Sequence, residues 1–340
     1  MATIQFFSIA KFAQRAGKID SDLASARYRV IIPASELSRR GHKTEIRRAP
    51  PDPQGRIDIA SISADVIVLS KSISVHNEAL VKDLRARGVR VILDLCDSYF
   101  DHVAYGTRFQ AHTIEMCKLV NNVVVSTPAL QDEVRRYTGM EPTIIVDPVE
   151  GTRGQPHFAP QLPRLKLLWF GHPDNWDAMA AEVSSLAGVG DQWPLEVSVV
   201  TRPLPEIEKA IEDFNAAYAP RLSLALTPWS SDAVWSALAN CDLVVIPTLK
   251  TPFYAAKSAN RLTESVWAGR AVVAHPLPSY CEYADYAFLS DDIAHGIRQA
   301  LESGTATQTR ITQGQDYINR INSPVAIGAA WEQVMGLTSR

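Results

Sequence analysis

The chain has 340 residues, of which 46% are hydrophobic and 21% are charged, and its formal net charge is −3. One hydrophobic core rarely organises a chain of this length, so the sequence predicts two domains. No apolar run approaches the length of a membrane span, and the composition is typical of a soluble globular protein. The N-terminal segment becomes polar too early for a signal peptide, which predicts a cytoplasmic location.

Charge is distributed unevenly along the chain. Residues 1–160 contain 21 Lys and Arg against 18 Asp and Glu, whereas residues 161–340 contain 13 against 19. A basic N-terminal half suits an anionic acceptor, or a peripheral contact with the acidic inner face of a membrane, although a solvated surface of mixed charge explains it equally well. The basic excess is too small to favour strong binding to nucleic acid.

The four cysteines are far apart and have no metal-ligand spacing. Cys96 and Cys241 lie in or beside apolar runs, where a reduced cysteine packs as a small hydrophobic residue. The sequence therefore predicts no disulfide and no structural zinc.

Strand and helix patterns alternate through the first 148 residues. Short apolar runs predict strands buried on both faces, and helical spacing ended by glycine predicts the helices between them. The predicted strands span residues 3–9, 42–48, 65–70, 89–95, 122–126 and 143–146, and the clearest helices span residues 25–40 and 74–88. Pro33 lies inside the first helix pattern and predicts a kink or a break there. The alternation predicts a parallel sheet with right-handed crossovers.

Polar residues follow two of these strands, at the edge where ligands of open α/β sheets collect. Arg27 and Arg29 lie at the start of the first predicted helix, which follows a polar loop of unusual length. They are candidates for contact with an anion or an acceptor. Asp97 and His102 follow the strand at 89–95 and are candidates for contact with an acceptor hydroxyl. Two plainer explanations stay open, because arginines in a first helix often face solvent and Asp97 can cap a helix.

A segment rich in proline and glycine, residues 149–164, predicts an interdomain linker. The strand and helix alternation then resumes over residues 165–322. The strand at 165–170 ends at Gly171, where the absence of a side chain lets a ligand approach the backbone closely. Further polar or aromatic candidates follow strand ends in this half of the chain, namely His172, Asn175, Arg202 and Trp229.

Residues 240–280 form the most informative stretch. Two short apolar strands, at 243–246 and 271–274, flank a loop and a helix that is predicted from about Ser258 to Ala268. The first turn of this helix carries four polar residues, Lys257, Ser258, Asn260 and Arg261. Free backbone N–H groups, the helix dipole and two cations together suit a diphosphate. Glu264 shares this face and can accept hydrogen bonds from a vicinal diol such as a ribose.

The segment KSANRLTESVWAGRAVVAHPLPSY resembles the donor-binding segment of GT-B glycosyltransferases, especially the retaining family 4. Members of that family usually have two glutamates eight positions apart, and the second one binds the nucleotide ribose. Glu264 matches the second glutamate, whereas Ala256 stands where the first would fall. The Lys-Ser-x-x-Arg cluster at 257–261 is expected to take over phosphate binding.

The resemblance implies an α/β fold with two doubly wound Rossmann-like domains facing across a cleft. Residues 1–148 would form the acceptor-side domain, 165–322 the nucleotide-sugar domain, and 323–340 a helix that returns to the N-terminal domain. The implied reaction moves a sugar from a UDP- or GDP-linked donor to a hydroxyl of a glycan, a lipid-linked or a small-molecule acceptor. It proceeds with retention and needs neither a metal nor a cofactor.

The resemblance also assigns roles to the candidate residues. Catalysis is expected from Asp97, His102, Lys257 and Arg261, with the two cations stabilising the leaving diphosphate. Acceptor contacts are expected from Arg27, Arg29 and Asp97. Donor contacts are expected from Gly171, His172, Asn175, Arg202, Trp229, Lys257, Ser258, Asn260, Arg261 and Glu264.

Three alternatives stay open from the sequence. A GT-B-fold sugar-nucleotide epimerase would use the same donor site, and a non-catalytic GT-B partner subunit would explain the missing first glutamate. A glycosyltransferase acting on nucleic acid is disfavoured by the thin basic excess. No G-x-G-x-x-G sequence follows the first strand, which disfavours a nicotinamide dehydrogenase.

Overall fold

The structure, a computed structural model, describes residues 1–15, 17–49, 57–100 and 106–337. It divides into two compact units. The first comprises Met1–Pro148, Ala256–Ser258 and Ile321–Arg340, and the second comprises Val149–Ala255 and Ala259–Arg320. The sequence predicted a linker at 149–164 and an unbroken second domain, whereas the structure groups 149–164 with the second unit and 256–258 with the first.

The first unit is built on a parallel sheet of six strands and a separate small hairpin. Its strands are β1 (Thr3–Ser8), β2 (Ala13–Arg15), β3 (Lys18–Asp20), β4 (Lys43–Arg48), β5 (Val66–Ser70), β6 (Arg90–Leu95), β7 (Asn122–Val125) and β8 (Thr143–Ile144). The sheet order is β4-β1-β5-β6-β7-β8, and β2 pairs with β3 in antiparallel fashion. Because the strand order reverses between β1 and β5, the carboxyl ends of these two strands flank a topological switch point.

Several helices of the first unit begin where the sequence supplies a cap. The helices are α1 (Ala24–Ala26), α2 (Ile32–Arg39), α3 (Val75–Ala86), α4 (Thr107–Leu119) and α5 (Pro128–Thr138). The Ser74 side chain accepts a hydrogen bond from the Asn77 N–H at the start of α3. The Thr127 side chain accepts one from the Leu130 N–H at the start of α5, where Pro128 occupies the first turn.

A π-helical turn, Arg27–Ile31, joins α1 to α2. The Ile32 N–H donates to the carbonyl of Arg27, five residues earlier, which is the π pattern. Of the kink or break predicted at Pro33, the break does not occur, since the helical path continues through this residue. Pro33 lies in the first turn of α2, where the missing N–H of a proline costs little, and the irregularity is the wide turn that precedes it.

The second unit repeats the architecture with a second sheet of six parallel strands. The strands are β9 (Leu165–Phe170), β10 (Leu195–Thr201), β11 (Leu222–Pro228), β12 (Leu243–Ile246), β13 (Ala271–Ala274) and β14 (Phe288–Leu289). The helices are α6 (Trp176–Gly190), α7 (Pro205–Tyr218), α8 (Ser231–Asn240), α9 (Pro252–Ala255), α10 (Asn260–Trp267), α11 (Pro278–Cys281), α12 (Ile293–Ser303) and α13 (Thr305–Ile321). The sheet order is β11-β10-β9-β12-β13-β14, with a switch point between β9 and β12.

Two parallel sheets, each with helices packed on it, confirm the predicted α/β class with two Rossmann-like domains. Apolar residues, mostly branched ones, predominate in β5, β12 and β13, which are buried at every position. Such strands occur where helices cover both faces of a parallel sheet. Helices able to span a bilayer are absent from the part of the chain that the structure describes.

The last helix, α14 (Pro324–Met335), packs within the first unit. Its Trp331 ring is fully buried and meets the ring of Phe6 from β1 edge-on, with a centroid distance of 6.0 Å. Its Glu332 forms an ion pair with Arg40 at 2.6 Å and a hydrogen bond with His42 Nε2 at 2.9 Å. One buried aromatic ring and two polar contacts therefore fix this helix to the first sheet and to α2.

We predict that Trp331→Ala lowers the free energy of unfolding by roughly 3–5 kcal/mol, because it removes a fully buried indole and leaves a cavity. Val325→Ala is the matched control, since Val325 lies on the same helix and is 60% exposed. The control should change stability by less than about 0.5 kcal/mol. Urea unfolding of both variants measures the difference, and equal losses would contradict the proposed anchoring.

Candidate functional site

A buried ionic network lies at the carboxyl edge of the first sheet. The Arg29 guanidinium donates to Asp94 Oδ1 at 2.6 Å and to Asp147 Oδ1 at 3.2 Å. Ser70 at the end of β5 donates to the other Asp94 oxygen at 3.0 Å. Arg29 is 1% exposed and Asp94 is fully buried. Burial opposes the charge on Arg29, but the two carboxylates outweigh it and raise the pKa of the guanidinium.

This network corrects the expectation that Arg29 contacts an acceptor. A guanidinium that is 1% exposed and bound to two carboxylates is not available to a ligand in this structure. Arg27, two residues earlier, is half-buried and donates to the carbonyl of Ser21 at 2.9 Å. The π turn therefore points one arginine into the protein and leaves the other near its surface.

We predict that Arg29→Met lowers the free energy of unfolding by about 3–5 kcal/mol, because it leaves buried carboxylates without their cation. Arg135→Met in α5 is the control, since that side chain is 44% exposed and its partners Asp132 and Glu141 are 74% and 66% exposed, so its loss should change the free energy of unfolding only slightly. Urea unfolding at neutral pH compares the two variants. Similar stabilities would show that the network does not hold the first unit together.

A second cluster lies beside this network and is partly exposed. Asp97, which follows β6, binds the ammonium groups of Lys71 and Lys257, each at 2.5 Å and each through a different carboxylate oxygen. The side chains of Asp97, Lys71 and Lys257 are 14%, 22% and 35% exposed. We call these three residues the Lys–Asp–Lys cluster. Sequence reasoning missed Lys71, although it directly follows the predicted strand at 65–70, where ligand-binding residues are expected.

The charges in this cluster determine the protonation state of Asp97. Burial by itself would raise the pKa of the carboxyl group, but the ammonium groups of Lys71 and Lys257 outweigh burial and lower it. Asp97 is therefore a carboxylate at neutral pH, and a lowered pKa is unfavourable for a general base. Its geometry suits an anchor for two cations. His102, the other residue expected in contact with the acceptor hydroxyl, lies outside the described residues.

Residues 256–258 belong to the first unit. The side chain of Ala256 is 1% exposed and packs in the hydrophobic core there, and its carbonyl accepts a hydrogen bond from Thr127 Oγ1 at 3.1 Å. Ser258 Oγ donates to Asp147 Oδ2 at 2.6 Å. The expectation that Lys257 and Ser258 lie in the first helical turn is therefore wrong. Helix α10 begins at Asn260, because the side chain of Ser258 bonds to Asp147 and does not cap the helix.

The second unit has its own polar site at the end of β9. Arg261 Nη1 lies 3.4 Å from the carbonyl oxygen of Phe170. A Cβ atom added to Gly171 would lie 3.3 Å from Arg261 Nη1 and 3.5 Å from Asn175 Nδ2. The glycine therefore leaves room for a group that Arg261 and Asn175 can both reach. Tyr280, which is 1% exposed, hydrogen-bonds to Arg261; burial raises the pKa of its hydroxyl and Arg261 opposes this.

Helix α10 carries the remaining residues of this site. Asn260 Oδ1 accepts a hydrogen bond from the Arg261 N–H at 2.7 Å, which orders the first turn. Glu264 follows Arg261 by three residues and is 7% exposed. Residues three apart on a helix share a face, so Glu264 lies on the same side of α10 as Arg261.

The other expected donor contacts lie at the same edge of the second sheet. His172 follows β9 and pairs with Asp174 at 3.2 Å, with its side chain 57% exposed. Arg202 follows β10 and is exposed, whereas Trp229 follows β11 and packs partly buried against the second-unit core. Parallel strands bring their carboxyl ends to one edge, and this places the three residues there together with Gly171.

The cysteines and the acidic residues show no sign of metal chemistry in the described ranges. No group of three or more His, Cys, Asp or Glu side chains able to hold a metal ion occurs among residues 1–15, 17–49, 57–100 and 106–337. Burial raises the pKa of the thiols of Cys96, Cys117 and Cys241 to about 12. These three cysteines are therefore protonated, unreactive core residues at neutral pH.

Comparison with known proteins identifies the fold. No family model matches the sequence, and no curated protein matches it. Anabaena Alr3699/HepE, solved with UDP and glucose, is 13% identical, with a TM-score of 0.68, 99% of this chain covered and 100% of that chain covered. AviGT4, a glycosyltransferase involved in avilamycin A biosynthesis, is 12% identical, with a TM-score of 0.65 and coverages of 99% and 97%. The fold is that of the GT-B glycosyltransferases.

A third structure, TarM from S. aureus, is larger. It is 14% identical with a TM-score of 0.59, and the match covers 79% of this chain but 55% of TarM, so the chain spans about half the length of that protein. Identities this low establish the GT-B fold alone. Within that fold the expected site residues fall into two groups. Asp97, Lys257 and Ser258 belong to the first unit, and Gly171, Asn175, Arg261 and Glu264 belong to the second.

Proposed function

We propose that this protein is a glycosyltransferase that moves a sugar from a UDP- or GDP-linked donor to an acceptor hydroxyl. The observation that carries the proposal is the arrangement of Gly171, Asn175 and Arg261 at the carboxyl edge of the second sheet. This is the edge where open α/β sheets bind nucleotides. The GT-B fold and the structures solved with UDP and glucose or with UDP-glucose support the same conclusion.

The donor diphosphate would bind beside Gly171, where its oxygens can approach the backbone without meeting a side chain. Arg261 would neutralise the charge that develops on the leaving diphosphate, and its planar fork suits phosphate oxygens. The N–H groups at the start of α10, an eight-residue helix, would add to the positive electrostatic potential around the diphosphate. Glu264 would accept the ribose hydroxyls, Trp229 would pack against the base, and His172 and Arg202 would line the approach.

The reaction would need no metal or cofactor, because a guanidinium and a helix N-terminus already supply positive charge to the leaving group. Retention of configuration follows from the resemblance to family 4. The acceptor would be a glycan, a lipid-linked or a small-molecule hydroxyl compound that binds the first unit. Asp97 would act there by holding Lys257 in place, in keeping with the direction of its pKa shift.

The donor site can be tested by calorimetric titration with UDP, GDP, ADP and TDP in the presence of EDTA. We expect one nucleotide to bind with micromolar affinity without a metal. Arg261→Gln and Glu264→Gln should each weaken that binding about ten-fold or more, since each removes a charge-assisted hydrogen bond. Arg164→Gln and Glu212→Gln are the matched controls, because both side chains are exposed in the second unit.

Binding that is unchanged in both test variants would refute the assigned site, and binding that disappears with EDTA would refute metal independence. A nucleotide that binds equally to the controls and to the wild type, but not to the test variants, supports the proposal. Release of free nucleotide from the donor sugar on addition of an acceptor would then establish transfer.

A non-catalytic GT-B partner subunit is the second candidate, and the position of Ala256 favours it. This residue replaces the first family glutamate and is packed in a core, so it offers a sugar no polar side chain. The two functions differ in donor binding. A partner subunit would keep the fold but lose its affinity for the donor nucleotide, whereas an epimerase would bind the donor and convert its sugar without any acceptor.

A further inference from the structure

Two ammonium groups converge on one carboxylate at the carboxyl edge of the first sheet. In the Lys–Asp–Lys cluster, Lys71 and Lys257 bind different oxygens of Asp97, so one carboxylate group holds the two ammonium groups apart. The carboxylate is the least exposed of the three side chains at 14%, and the lysines reach further toward solvent at 22% and 35%. The cluster itself has two positive charges and one negative charge, and its two lysine side chains are more exposed than its carboxylate.

The backbone at Lys71 is held in an unfavourable conformation. Its φ angle is 57°, and every other described residue with a positive φ is a glycine. The left-handed region is unfavourable for a residue with a side chain, and such strain persists only where the surroundings fix it. Here the Lys71 N–H donates to the carbonyl of Asp94 at 3.3 Å, and the ammonium binds Asp97. Strain of this kind concentrates at ligand-binding sites.

The residues of the Lys–Asp–Lys cluster are held in place by buried contacts around them. Asp94 and Asp97 lie three residues apart at the end of β6, and Asp94 is fixed by the buried Arg29. The carbonyl of Asp94 in turn holds the backbone of Lys71. Lys257 is fixed on the other side, because its neighbours Ala256 and Ser258 bond to Thr127 and Asp147. The two ammonium groups are therefore positioned before any ligand arrives, which lowers the entropy lost on binding.

We propose that the Lys–Asp–Lys cluster binds an anionic group, a phosphate or a carboxylate, on the acceptor. This inference rests on the proposed function, because it names the acceptor class of that enzyme. Asp97 keeps the two lysines extended and apart, and the acceptor anion binds on their solvent side. The basic excess of residues 1–160 attracts the same class of molecule.

The test measures binding of inorganic phosphate by calorimetry, with UDP at saturation so that the second-unit site is filled. Lys71→Asn removes one cation, and asparagine tolerates the left-handed region, so the backbone conformation should survive. We expect phosphate to bind this variant about ten-fold more weakly or worse. Lys82→Asn is the matched control, since Lys82 is an exposed lysine of the same unit, on α3, and should bind phosphate like the wild type.

Asp97→Asn is expected to change the affinity for phosphate in the opposite direction. It removes the carboxylate that competes for both ammonium groups, so phosphate should bind more tightly than to the wild type. A purely structural Asp97 would give weaker or unchanged binding, and either result in a folded variant overturns the proposal. Should Asp97→Asn fail to fold, Lys257→Gln replaces it, with the same weakening expected as for Lys71→Asn.

Equal phosphate affinity in Lys71→Asn and Lys82→Asn also overturns the proposal. Repeating the titration with glucuronate distinguishes the two anions, because tighter binding of either one that depends on Lys71 identifies the acceptor group. UDP titrations on the same proteins separate this test from that of the proposed function. Absence of UDP binding would refute the donor site, while the dependence of phosphate binding on Lys71, measured without UDP, still decides the anion site.

Discussion

The ion pairs that Arg29 makes with Asp94 and Asp147 are the constraint on which the first unit depends. They connect the π turn to the end of β6 and to the segment after β8. Asp147 also accepts a hydrogen bond from Ser258, and its carbonyl accepts one from Asn322. One buried carboxylate residue therefore holds both segments that join this unit from later in the chain. Because each member of the network is desolvated, losing one would leave the others without compensation.

The same residue types act differently a short distance away, where water reaches them. Asp94 is fully buried and neutralises an arginine, whereas Asp97, three residues later, is partly exposed and positions two lysines. A fully desolvated ion pair contributes to the fold and does not bind a ligand. Separating the pair would leave a buried charge without its partner, which is strongly unfavourable. A partly solvated cluster can exchange one partner for another, so it can bind a ligand. This difference in solvation separates the structural network from the proposed acceptor site.

The two proposed ligand sites would bind an anion through different groups. In each site these groups have to compete with water for the anion. The second unit uses a glycine for close backbone approach, an arginine fork and the start of α10. The first unit uses two lysines spaced by a carboxylate, with one of them held at a positive φ. A guanidinium matches the shape of a diphosphate, while two ammonium groups act as point charges and suit anions of more varied shape.

Sequence alone determined the α/β class and most strands, because apolar runs such as those of β5, β12 and β13 and caps such as Ser74 and Thr127 act within a few residues. It predicted Asp97 as a polar residue after a strand and Lys257 and Arg261 as polar residues in the first turn of a helix, but not their partners. Arg29 and Asp94 are 65 residues apart, and Lys257 and Asp97 are 160 apart. Only the tertiary structure decided which arginine of the Arg-Tyr-Arg sequence is buried, and that Lys257 belongs to the first unit. Burial and pairing of a charge depend on residues distant in sequence, and no local pattern encodes them.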